Sequence, residues 1–167
     1  MAYSNKTYVA FDADTDIRYY RLMQAWKHND GTSFDFYDAH DLNTLMQWSS
    51  EETIKDKLQE RLRNTKVFIL LVGENTKNLY KFVRWEIEQA VKRDIPIIVV
   101  NLNGKRSKDS NLCPAILSGE LSLHVSYNQK IIEKSQQDWP SLHSAYRSEN
   151  KISDYYYKNN IYQSFGL

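Results

Sequence analysis

The chain of 167 residues holds one cysteine, three prolines and five glycines. Each scarcity closes off a class of protein. A lone thiol, Cys113, cannot form an internal disulfide and suits a reducing cytoplasm, which is the expected location. So few glycines and prolines argue against low-complexity segments. No apolar run approaches the roughly 20 residues that span a bilayer. The opening MAYSNKTYVAF lacks the basic start and apolar stretch of a secretory signal, so no membrane partner is expected. Charge is balanced, 22 Lys and Arg against 21 Asp and Glu, and no basic cluster stands out. A nucleic-acid groove is therefore not expected. His28, His40, His124 and His143 show no metal-ligand spacing with one another or with Cys113, so no metal site is expected. Gly73 stands alone, which leaves no glycine-rich phosphate loop. No internal repeat is visible.

The 41% of hydrophobic residues is enough to build a core. The length suits one domain over residues 1–167, with a core at 6–147 and a Tyr-rich tail at 148–167. Thr7 to Ala13 reads as a first strand. Tyr19, Leu22, Met23 and Trp26 then recur at helical spacing, with Asp14 or Asp16 as a candidate cap. Asp30-Gly31 signals a turn. Phe34 to Tyr37 alternates weakly and reads as a second strand, at an edge. A loop follows to Ser50, and Ser49 to Glu52 forms a candidate capping box for a helix bearing Ile54, Leu58 and Leu62 on one face. Lys66–Val72 and Ile95–Leu102 are unbroken Val, Ile and Leu runs, the mark of parallel strands covered on both faces. Leu121–Tyr127 reads as a further strand. Lys130–Arg147 reads as a helix broken or kinked at Pro140. The run Tyr155-Tyr156-Tyr157 is expected to pack against the sheet edge, with an oligomer contact as the alternative.

Alternating strands and helices give an α/β fold, a flavodoxin-like parallel sheet of about five strands flanked by helices, in the order 2-1-3-4-5. Ligands of such sheets bind beyond the carboxyl ends of the strands, near the switch point. This gathers the Phe11–Asp16 loop, the Asp38–Ser50 loop and the Gly73–Phe82 segment around one crevice.

One acid stands out at that crevice. Phe82 and Glu86 are four apart and share a helical face. Val83, Ile87, Ala90 and Val91 form the stripe that packs on the sheet, leaving Phe82 and Glu86 near its margin. On spacing alone, Glu86 is most simply a surface carboxylate among Lys and Arg neighbours; its other reading is a catalytic group held over a strand end. Cys113, before Pro114 and without a nearby His in sequence, reads as a buried structural thiol.

Three stretches, TYVAFDADTD, FDFYDAHDLN and TKNLYKFVRWEIEQAV, together resemble the TIR domains, specifically the TIR-like branch of bacterial antiphage (Thoeris-type) systems. Those domains commonly show Ser-x-x-Tyr-x-x-Ser-x-Trp-Cys-x-x-Glu in the last stretch. Here Tyr80 and Phe82 stand near the aromatic positions, Val83 takes the Cys position and Glu86 the Glu position. Phe82 for Trp and Thr76 for Ser are departures. The resemblance implies that Glu86 is the acid that cleaves NAD⁺, and that NAD⁺ is substrate rather than cofactor. It implies that Phe11 and Asp12 line the nicotinamide-ribose pocket, with the other reading that Phe11 is core and Asp12 caps the next helix. It implies that the loop of Asp38, His40 and Trp48 gates the substrate and joins subunits, Trp48 stacking on adenine, anchoring the loop or mediating self-association. The implied activity is a glycohydrolase or ADP-ribosyl cyclase whose (cyclic) ADP-ribose-type product signals to a separate effector protein. The alternative is a non-enzymatic TIR module that only self-associates. A third reading rests on Asp12-Ala13-Asp14-Thr15, which resembles the Asp-x-Asp-x-Thr start of Mg²⁺-dependent haloacid-dehalogenase-type phosphatases. The later acidic pair of that chemistry is missing here.

Overall fold

The computed structural model describes residues 6–29 and 50–167. Five strands, all parallel, form one sheet: β1 (Thr7–Ala10), β2 (Val67–Val72), β3 (Ile97–Asn101), β4 (Ser122–Ser126) and β5 (Asp154–Tyr156), side by side in that order. Helices flank the sheet: α1 (Ile17–Asn29), α2 (Glu51–Arg63), α3 (Val83–Lys92), α4 (Gln129–Ser148) and α5 (Asn159–Ser164). This is the flavodoxin-like α/β arrangement that the unbroken apolar runs predict. The expected second strand at Phe34–Tyr37, and with it the first place in the order 2-1-3-4-5, lies outside the described residues. So do the Asp30-Gly31 turn and the loop up to residue 49.

The central strands are buried along their whole length because both faces are covered. Side chains alternate between two cores, as the period of two requires. Val9, Val67, Ile69, Leu71, Ile98 and Val100 meet Tyr20 and Met23 of α1 and Ile131, Ile132 and Trp139 of α4. Tyr8, Ala10, Phe68, Leu70, Val72 and Val99 meet Ile54, Leu58 and Leu62 of α2 and Val83, Ile87 and Ala90 of α3. Residue parity on β1 therefore decides which core a side chain enters. Tyr8 faces α2 and α3, whereas Val9 faces α1 and α4.

Three local expectations are corrected. The cap of α2 is Ser50, not Ser49: Ser50 is extended (φ −65°, ψ 156°) and its hydroxyl accepts from the Thr53 N–H at 3.2 Å. Helix α4 is not broken at Pro140 but runs on through it. A proline forfeits one intrahelical bond, and here the buried stripe of Ile131, Ile132, Ser135, Trp139 and His143 holds both halves against the sheet. The Tyr-rich tail is not an appendage of the core. Asp154–Tyr156 forms the edge strand, as expected of its packing, with Tyr155 stacked on Tyr146 at 4.4 Å. Tyr162 is fully buried, and its hydroxyl oxygen accepts from the Ser126 N–H at 3.1 Å.

Candidate active site

A cleft of about 650 Å³ opens at the carboxyl end of β1, a size ordinary for small-molecule sites. Its walls come from Phe11–Asp14 after β1, from Ile54 and Leu58 of α2, and from Asn78–Val83 at the start of α3, with Tyr8 and Glu86 deeper in. Parts of two of the three segments that the sequence gathers around one crevice, Phe11–Asp14 of the first and Asn78–Phe82 of the second, meet there. The third carries Asp38, His40 and Trp48, which lie outside the described residues.

Glu86 sits in the first turn of α3. Far from being a surface carboxylate, it is only 8% exposed. The Tyr8 hydroxyl donates to its Oε2. Burial pushes the Glu86 carboxyl up from 4.5 to about 7, against the opposing pull of the Tyr8 hydrogen bond. The helix N-terminus also favours the ionised form. The group thus changes charge near neutrality, which fits either proton transfer or stabilisation of a cation. Burial and the neighbouring carboxyl both raise the Tyr8 phenol well above its usual range, so it remains a donor.

Tyr8 is the residue that sequence reading misses. A Tyr in an apolar strand looks like core, and only the placement of β1 beside α3, 78 positions later, gives its hydroxyl a partner. Phe82 precedes α3 as its half-buried cap residue and lines the cleft. Tyr80 stands 67% exposed at the rim. Phe11 lines the cleft too, while its ring stacks on Tyr20 at 4.8 Å, on the α1 side of the sheet.

Asp12 is 4% exposed and organises its own loop. Oδ1 accepts from the Asp14 N–H at 3.0 Å, and Oδ2 accepts from the Thr15 hydroxyl at 2.6 Å. Asp12 thus ties the loop before α1, and Asp16, one of the two expected caps, stands immediately before the first helical residue, Ile17. Both oxygens are engaged within the loop, and Asp12 forms part of the cleft wall. Asp12→Ala leaves two donors without their partner. It should cost roughly 1–3 kcal/mol, read as a lower urea midpoint at unchanged slope; an unchanged midpoint would show that the staple carries no stability.

The turn after β2 is built by Thr76, whose hydroxyl oxygen accepts from the Gly73 N–H at 2.9 Å. A Cβ at Gly73 would stand 2.3 Å from Asp16 Oδ2, so any other residue there requires the Asp16 carboxylate to move. Cys113 is buried and its thiol pushed up to about 11, so it is inert. His124, enclosed in β4 with Nε2 3.0 Å from the Ser122 hydroxyl, is pushed down to about 4 and stays neutral. Among the described residues no group of three or more His, Cys, Asp or Glu side chains is placed to hold a metal ion. None of the described helices is long and apolar enough to cross a membrane.

Residues 8–107 match the family model described as Thoeris protein ThsB, TIR-like domain. The matched span contains β1, α1, α2, β2, α3 and β3, and with them Tyr8, Phe11, Asp12, Phe82 and Glu86.

Proposed function

The chain belongs to the TIR-like domain family of the antiphage Thoeris protein ThsB, and on that premise we propose that it binds NAD⁺ in the Glu86 cleft and breaks the nicotinamide–ribose bond. The observation that carries this reading is a carboxyl enclosed in protein, facing a cleft of adequate volume, with its proton held near neutral pH. Among the described residues Glu86 has no cationic partner, a costly arrangement for a buried carboxylate that a task in the cleft would account for.

That task follows from the chemistry of the bond. As the C1′–N bond breaks, the electron pair leaves with nicotinamide, which departs neutral, and positive charge develops on the ribose. An anion beside the sugar, in a site of low dielectric, stabilises that charge most strongly in the transition state. Water, or a nucleophilic atom of the same ADP-ribose, then bonds to C1′, and Glu86 takes up the proton that the attacking group loses. The first route gives linear ADP-ribose, the second a cyclic product. Either would serve as a signal to a separate effector protein. The pocket assigned by resemblance comprises Phe11, Asp12 and Phe82, with Asp38 and Trp48 contributed by the loop that also supplies self-association.

The pH dependence tests the reading. Nicotinamide release should rise about tenfold per pH unit below the Glu86 midpoint and level off above about 7. A flat profile from pH 5 to 8 would remove the ionised carboxylate from the mechanism.

A further inference from the structure

We infer that Tyr8 is the positioning residue of this site: its buried hydroxyl holds Glu86 by Oε2 and so presents Oε1 to the substrate ribose. The inference rests on the NAD⁺-cleaving reading. Tyr8 is fixed by strong constraints. Its strand pairs in register with β2, Tyr8 opposite Phe68, and the two rings stack at 5.5 Å with planes 9° apart. Both are fully buried, so the phenol has no room to swing. The Glu86 side chain, by contrast, hangs on three rotatable bonds at the start of a helix, and an unheld carboxylate would lose alignment with the sugar.

The choice of residue carries the same message. A Phe at position 8 would fill the core as well, without a hydroxyl to satisfy. A buried hydroxyl costs stability unless it is bonded, and this one donates to the acid of the site. Among the described residues, the other charged groups nearby are Arg61 of α2, which acts on Tyr8, and Asp12, Asp14 and Lys81 on the cleft walls. The influences on Glu86 are burial and the Tyr8 hydroxyl. Donation from Tyr8 favours the ionised carboxylate, the form that faces a developing cation.

The test needs no substrate in its first part. Wild-type and Tyr8→Phe proteins carrying glutamate labelled at the side-chain carboxyl are titrated by NMR, with Glu86 assigned through Glu86→Gln. The Glu86 midpoint should move up by about one pH unit in Tyr8→Phe. In the wild type, the Tyr8 ring carbons should follow the Glu86 titration, a reading that does not depend on any variant folding. In turnover, kcat for nicotinamide release at pH 7 should fall by more than the roughly fivefold that the moved midpoint alone gives, stay below wild type at pH 9, where both carboxyls are ionised, and leave KM nearly unchanged; full recovery by pH 9 would overturn the positioning role. A merely structural tyrosine would lower the melting temperature and leave the midpoint in place; an unmoved Glu86 midpoint overturns the inference. If the midpoint moves but the wild type releases no nicotinamide, the Tyr8–Glu86 coupling stands and the NAD⁺ assignment falls.

Discussion

Glu86→Gln should slow nicotinamide release from NAD⁺ by a few hundredfold and, above neutral pH, make the protein more stable. The two effects share one cause. Gln keeps the shape and can still accept the Tyr8 hydrogen bond, but it lacks the charge. Loss of a preorganised anion at the developing cation removes roughly 3–4 kcal/mol of transition-state stabilisation. Stability moves the other way. The folded Glu86 carboxyl titrates near 7 against an ordinary 4.5, so the folded state binds its proton more tightly than the unfolded chain does. The stability from that proton is fully present below about 4.5 and is lost as pH rises through about 7. The difference of 2.5 units amounts to roughly 3 kcal/mol. Wild type should therefore fall behind Glu86→Gln by roughly that amount between pH 4.5 and pH 8. Other shifted groups, such as Asp16, are common to both proteins and cancel in the comparison. Paired denaturation curves at the two pH values check this; a constant difference would mean that Glu86 is not held protonated by burial.

Trp139→Ala should be the most damaging core substitution for stability while sparing the site. Trp139 is the largest of the fully buried side chains among the described residues. It packs on His143, Tyr146 and Tyr155 with ring centroids 6.0–6.2 Å away. Its indole N–H has no hydrogen-bond partner among the described residues, so packing is its contribution. Truncating a buried Trp costs roughly 3–5 kcal/mol. At about 2–4 °C per kcal/mol for a domain of this size, the melting temperature should fall by about 10 °C or more. Because Trp139 belongs to the core on the α1 and α4 face, opposite the core shared with Glu86, activity per folded molecule should persist. A shift of only a degree or two would mean that the β5 and α5 segment is not integral to the core.

The parts of the fold legible in the sequence are those in which local pattern and tertiary demand agree. Val67–Val72 and Ile97–Val100 are apolar throughout because two helical layers cover them, and that pattern needs no three-dimensional information. Pro140 shows the limit: its local cost is real, but the buried stripe on either side outweighs it, and the stripe is visible only once the sheet is in place. The tail is harder still. The packing of Tyr155 at the sheet edge is legible, but the strand it belongs to needs β4 as its neighbour, and the burial of Tyr162 needs the Ser126 N–H as its partner. At the site, the i, i+4 spacing places Glu86 correctly at the margin of the sheet-facing stripe. Its partner Tyr8 is 78 positions away, and its raised proton affinity comes from burial, against the pull of that hydrogen bond; no local window contains either.

The most direct measurement follows the glycosidic bond itself. NAD⁺ labelled in its nicotinamide ring is incubated at pH 8 with purified wild-type protein and with folded Glu86→Gln, in extract from phage-challenged cells. The products are then weighed by mass spectrometry. Free labelled nicotinamide should appear together with one ADP-ribose-type molecule for each NAD⁺ consumed, in the wild-type sample and almost not at all in the variant. Intact NAD⁺ in both samples, or equal nicotinamide from both, would contradict the assignment of Glu86 as the acid of an NAD⁺-cleaving site.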